Sequence, residues 1–225
     1  VLGGIRVPLI WRTSTRAQRL SARIDPKKRA LVLTCPPSYS EQKALSFLKA
    51  QEQWIISRFQ KLTNQTLSFE NGSLIPIAGI PHTIVHQPHA HGGVWLQGTS
   101  LYVSGQSEFI ARRVTDFLKH HARTLLTQEL RTAAQAAALT PSKLDIRDTT
   151  SRWGSCSSTG RIMLSWRLVM APQPVRHYLI AHELAHLKHM NHSPAFWAYT
   201  NKLTPYRTQA EAWLKHYGPA LLSAQ

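Results

Sequence analysis

Residues 181–197 read AHELAHLKHMNHSPAFW, a short run with four histidines and one glutamate. Upstream, Pro172 and Pro174 suit a helix start, and Val175, Tyr178, Leu179, Ile180, Leu184 and Leu187 recur at helical spacing. The pattern predicts a helix over about 174–190. Asn191 tolerates the left-handed conformation that ends helices, and Ser193-Pro194 reads as the N-cap and first residue of another helix. His182 and His186 are four residues apart, on one helix face, so both imidazoles can reach a single cation. Glu183 projects beside them, where a carboxylate can take a proton from water on a metal.

A catalytic zinc usually has three protein ligands and water. His189 shares the face but lies about 10 Å from His182 along a regular helix, too far for bonds of about 2 Å to one ion. His192 sits at the corner between the helices, where the chain can fold back, and is the preferred third ligand. Glu211, in QAEAWL, is the other option. Between Asp148 and Glu211 the only carboxylate is Glu183, so a general-base role has no local substitute. A carboxylate to orient the histidines would come from elsewhere, with Asp145 and Asp148 as candidates.

Working outward, IRVPLIWR reads as one strand and LSARIDPKKRALVLTCP as two more, joined by a turn at Asp25-Pro26. A helix capped by Ser40 follows. Hairpin-like strands occupy about 73–104, and a long helix spans about 107–139. KLDIRDT and RIMLSWRLV read as strands on either side of SRWGSCSSTG, a Gly- and Ser-rich turn. Helices are predicted over 194–203 and 206–216. The whole reads as α+β: residues 1–105 a β-rich part with one helix, and residues 106–225 a helix-rich part.

The formal net charge is +16, from 27 Lys and Arg against 11 Asp and Glu. Such a surface offers contact to nucleic acid or nucleotide, the ordinary alternative being a solvated basic face. Cys35 and Cys156 are far apart and form no C-x-x-C pair, which excludes a thiolate zinc site and fits reduced thiols in a cytoplasmic protein. No apolar window is long enough to span a bilayer, and VLGGIRVPLIWR lacks signal-peptide character. Oligomeric state is not legible.

SRWGSCSSTGRIMLSWRLVMAP followed by HELAHLKHMNHSPAFW resembles the YgjP-like metal-dependent hydrolase family, related to the SprT and WLM zinc metalloproteases. RTSTRAQRLSARID, EQWI and FENGSLIPIAGIPHTI extend the likeness along the chain. The resemblance implies a zincin-like catalytic domain holding one Zn2+, with another divalent transition metal as the alternative. It implies His182, His186 and His192 as ligands and Glu183 as acid/base. The third ligand follows the second by six residues, as in metzincins, but His189 replaces their glycine, which leaves the turn to Asn191. In RWGSCS, Arg152 or the Ser155 hydroxyl can face a carbonyl or phosphate oxygen, while Trp153, Gly154 at a tight turn and Cys156 read as packing. The expected activity is a metallopeptidase acting on peptide or protein. One alternative is a metal-dependent nucleoside triphosphate pyrophosphohydrolase, whose phosphates Arg152, Arg161, Arg167 and Arg176 would meet. The other is a nucleic-acid-binding protein with a structural zinc.

Overall fold

The computed structural model describes residues 6–25, 28, 30–63, 67–149 and 151–224. Pro26, in the expected Asp25-Pro26 turn, lies outside the described residues. The chain divides into two compact units between Thr66 and Leu67, rather than near residue 105.

The first unit carries β1 (Leu9–Thr13), β2 (Ser21–Asp25), β3 (Ala30–Cys35), α1 (Glu41–Ala50) and α2 (Glu52–Thr63). β3 is central, parallel to β1 and antiparallel to β2. That position explains its unbroken apolar run, since a middle strand here is buried along its length. Ser40 caps α1 by accepting from the Lys43 N–H. The single helix expected here is broken at Gln51 into two. Leu31, Leu33, Cys35, Ala44, Leu48 and Ile55 form this unit's core.

The second unit opens with a four-stranded sheet: β4 (Leu74–Ile77), β5 (Ile80–Gln87), β6 (Val94–Gln97) and β7 (Ser100–Ser104), in the order β4-β5-β7-β6. Then come α3 (Ile110–Ala136), β8 (Lys143–Arg147), β9 (Gly154–Cys156), β10 (Arg161–Ser165), α4 (Gln173–Ala185), α5 (Pro194–Leu203) and α6 (Arg207–Leu222). Strands predominate in the N-terminal part and helices after it, as expected of an α+β chain. A single apolar core unites the β4–β7 sheet with the helices. That shared core is why residues 67–105 belong with the C-terminal helices rather than with the first sheet.

α3 is the spine of this unit. Its buried residues Ile110, Val114, Leu118, Ala122, Leu126, Leu130 and Ala134 fall four apart. Such a stripe turns about 40° per step around the helix, so α3 packs on β6, β7, β8, α4 and the 3₁₀ turn Trp166–Met170. That turn leads directly into α4. It carries Arg167, buried at 1% exposure, whose guanidinium binds Asp148 and the carbonyls of Thr149 and Ala224.

The stretch read as a turn, SRWGSCSSTG, contains β9, a short strand antiparallel to β10; the reversal itself is at Ser157–Gly160. β9 is an edge strand, because the order is β8-β10-β9.

The β4–β5 hairpin braces the approach to α4. Ala78 and Gly79 turn it with positive φ, and their N–H groups donate to the carbonyls of Val169 and Met170. A Cβ on Gly79 would lie 2.7 Å from Pro172 Cα, whereas one on Gly72, also at positive φ, meets nothing within 4 Å. Both Gly→Ala changes incur the left-handed strain of about 1–2 kcal/mol, but only Gly79→Ala adds a clash with Pro172. Urea unfolding is expected to show a larger loss for Gly79→Ala. Equal losses would show that the hairpin does not press on the start of α4.

Candidate metal centre

Three imidazoles converge where α4 ends and α5 begins. The candidate ligand atoms of His182, His186 and His192 all lie within 4.8 Å of one another. His182 projects from α4 and His186 caps its C-terminus. His192 comes from the corner before α5, whose cap is Ser193 accepting from the Phe196 N–H, as expected. The corner itself is built differently from expectation. α4 ends at Ala185, not near residue 190, and Leu187, Lys188 and His189 donate to the carbonyls of Leu184, Ala185 and Ala185. The chain reverses through these tightened turns. Among the described residues only Ala78 and Ala138 have positive φ without being glycine, so Asn191 does not supply a left-handed step.

The tightened turn also orients a ligand. His186 Nδ1 is 3.0 Å from the His189 carbonyl. A carbonyl only accepts, so Nδ1 carries the proton and Nε2 keeps its lone pair. His189 therefore contributes backbone, not imidazole, to the site. The Nε2 atoms of His192 and His182 are 3.1 Å apart. Bonds of about 2 Å to one centre require nitrogens roughly 3.3 Å apart, so this pair already has the spacing of two ligands. His182 Nδ1 is buried without a partner. The residues present therefore fit one divalent metal.

The imidazoles surround an aromatic residue. The Phe196 ring, wholly buried, lies 5.0, 4.5 and 4.7 Å from the rings of His182, His186 and His192. Trp197 stacks on His192 at 5.4 Å and lies 5.7 Å from His182. Neither stands out in the sequence, although the pair follows Pro194 at the start of α5, one turn after the corner histidine. Burial makes His182 and His186 reluctant to charge. It depresses His182 to about 4, with His186 and His192 adding to the effect, and lowers His186 as well.

Glu183 is 4% exposed, and its Oε2 has no partner. Burial raises it from 4.5 to about 8, opposed by the charge of Arg152. It lies against β9: a Cβ on Gly154 would fall 2.4 Å from Glu183 Oε1. Gly154 has ordinary strand conformation, so the need for glycine is the close approach of this carboxyl, not a tight turn. Trp153 packs on α6, its ring 3.3 Å from where a Cβ on Gly218 would be. The pleat puts Gly154 and Cys156 on one face and Ser155 on the other. Of the two groups in RWGSCS read as meeting substrate, Arg152 is therefore the one whose charge reaches Glu183.

Several other candidates are occupied elsewhere. Glu211 accepts from the Tyr178 hydroxyl at 2.8 Å and from Arg207 Nε at 3.1 Å, and is not part of the imidazole cluster. Asp145 and Asp148 hold Arg161 and Arg167. Arg176 is buried and holds Glu129 through two nitrogens. His89 and His91 belong to no group of three or more potential metal ligands among the described residues, and His121 stacks on Phe117.

A family model for the YgjP-like metallopeptidase domain matches residues 18–217. The chain belongs to the YgjP-like family. No curated protein and no solved structure matches it. Membership in the YgjP-like family supports a metal-dependent hydrolase of the peptidase kind, and the histidine cluster is a place where its metal could sit. No helix among the described residues is long and apolar enough to cross a membrane.

The raised Glu183 makes stability depend on pH. A group whose pKa is higher folded than unfolded favours folding fully below its unfolded value, near 4.5, and loses that contribution as pH rises through about 8. Histidines with depressed values act oppositely below 6.5, but they are common to wild type and variant. In metal-free protein, Glu183→Gln is therefore expected to gain stability over wild type as pH rises from 5 to 8, by up to about 1.4 kcal/mol per pH unit. Urea midpoints across that range measure it, and a difference that stays flat with pH would contradict the burial of this carboxyl.

Proposed function

We propose that this YgjP-like protein is a zinc-dependent peptidase, with His182, His186 and His192 holding one Zn2+ and Glu183 as general base. The convergence of three imidazoles beside a buried carboxyl, next to a free strand edge, carries this reading. Neutral imidazoles suit zinc, and three of them leave a coordination position for water or substrate. When bound, zinc supplies Lewis acidity that favours deprotonation of a water and polarises the scissile carbonyl.

The protein's own groups do the rest. Glu183 takes the proton of the attacking water and returns it to the leaving amine nitrogen. Its buried carboxyl prefers the protonated form at neutral pH, so it becomes a base only when a cation shares the pocket. Proton transfer is thereby tied to a loaded site. Arg152 is the nearby cation for an oxygen that becomes negative during attack.

The edge of β9 supports a peptide as substrate. Ser165 N–H donates to the Trp153 carbonyl and Ser157 N–H to that of Arg161. By antiparallel alternation, Trp153, Ser155 and Ser157 face β10, and the N–H and C=O groups of Gly154 and Cys156 point outward. An extended peptide can pair with that edge beside Glu183, read by its main chain. The pyrophosphohydrolase reading is weaker. Arg167 and Arg176 are buried in ion pairs and Arg161 holds Asp145, leaving Arg152 alone of the four for phosphates. Nucleic-acid contact through the basic surface remains compatible with a peptidase and would direct it to bound proteins.

Glu183→Gln in zinc-loaded protein is expected to lower cleavage of an unfolded protein by about 10²–10⁴-fold with one zinc retained. Gly154→Ala, which pushes Glu183 aside, is expected to do the same. Near wild-type cleavage by Glu183→Gln would refute the general base. Release of phosphate from nucleotides, abolished by the same change, would select the pyrophosphohydrolase.

A further inference from the structure

We infer that Trp197, clamped by Arg207, is a positioning residue for His192 and sets how tightly the site holds its metal; this rests on the proposed ligand set. His192 is the weakly supported member of the three. It comes from an irregular corner and is exposed, whereas His186 is buried and oriented by the His189 carbonyl. The only hydrogen-bond contact of its ring among the described residues is the 3.1 Å approach to His182, and that contact is lost once both Nε2 atoms turn their lone pairs to one metal. Metal-ligating histidines are usually oriented by a partner on the other ring nitrogen. His192 is held by ring contacts instead.

Trp197 stacks on His192 with the planes 29° apart. The Arg207 guanidinium lies 3.6 Å over the Trp197 ring, an arrangement favoured by the negative face of an indole. Arg207 is in turn fixed by Glu211, which also accepts from Tyr178 of α4. The line of contact runs from α4 through Glu211, Arg207 and Trp197 to the corner histidine. α5 grips the corner at a second point, where Lys188 lies 4.5 Å over the Tyr199 ring. A ligand held in place before binding loses less freedom when it binds, so the clamp raises affinity.

The sign of the effect separates this from simple charge repulsion. Arg207 is a cation near a cation site, and if its charge were what mattered, removing it would tighten binding. Placement predicts the reverse. Zinc affinity is measured by competition with a chromophoric chelator on the full chain, alongside the melting temperature of the metal-free protein. Trp197→Ala and Arg207→Ala are expected to weaken binding by about 10–100-fold, with the metal-free melting temperature unchanged. Trp197→Phe, which keeps a ring face, is expected to recover much of the loss. Affinity within twofold of wild type in both alanine variants overturns the inference, as does tighter binding by Arg207→Ala. A loss matched by a fall in metal-free melting temperature also overturns it, since the role is then merely structural. If wild type takes up no zinc, or His192→Ala binds as well as wild type, the ligand set itself is wrong.

Discussion

The contact between Glu183 and Gly154 constrains the rest of this centre. A carboxyl with an unpartnered oxygen is pressed so closely on a strand that only hydrogen fits where a side chain would begin. For this to happen α4 must lie directly beneath β9. β9 is fixed by pairing with β10, and β10 runs into the Trp166–Met170 turn that α3 supports. The hairpin at Ala78-Gly79 closes the arrangement by bonding to that turn. Six elements, drawn from residues 74–185, thus converge on the depth of one acid side chain. A carboxyl in this position is costly to ionise, and perturbed groups of this kind cluster at functional sites.

What was legible in the sequence is what depends on local chemistry. The i, i+4 spacing of His182 and His186, the Ser193 cap and the proline after it are properties of a few adjacent residues, and the structure keeps them. The long helix and most strands follow from periodicity. The misplaced features are non-local. Gly154–Cys156 has too few residues to show alternation and becomes a strand only because Arg161–Ser165 lies beside it. The reason for Gly154 sits on another element. The division at residue 66 depends on which core the β4–β7 strands share, which no window of sequence contains. Nor could the sequence tell a surface arginine from Arg167, whose burial depends on Asp148 and on a carbonyl of Ala224.

The charge balance reads differently once the fold is known. Of 11 carboxylates, Glu129, Asp145, Asp148 and Glu211 each hold an arginine. Two of those arginines are buried, and a buried guanidinium without an anion would be prohibitive. Two of the scarce acids, Asp148 and Glu129, thus hold buried arginines, and the excess of +16 is left largely to the surface. Basicity and site chemistry are separable here: the arginines that appeared to surround the site are mostly parts of the scaffold.

The cluster leaves buried polar atoms without hydrogen-bond partners, and that is informative. Two imidazole nitrogens face each other at 3.1 Å, His182 Nδ1 has no partner, and neither has Glu183 Oε2. Buried polar groups are nearly always satisfied elsewhere in proteins, and local exceptions concentrate where function requires them. The close approach of the two nitrogens and the reluctance of Glu183 to ionise would both be answered by a positive charge in the pocket. Protons can supply that charge, but burial has made His182 a poor proton acceptor. A divalent cation meets no such obstacle, because a neutral imidazole is the form it binds. The burial that disfavours protonation of His182 would therefore also favour a metal over protons in this pocket.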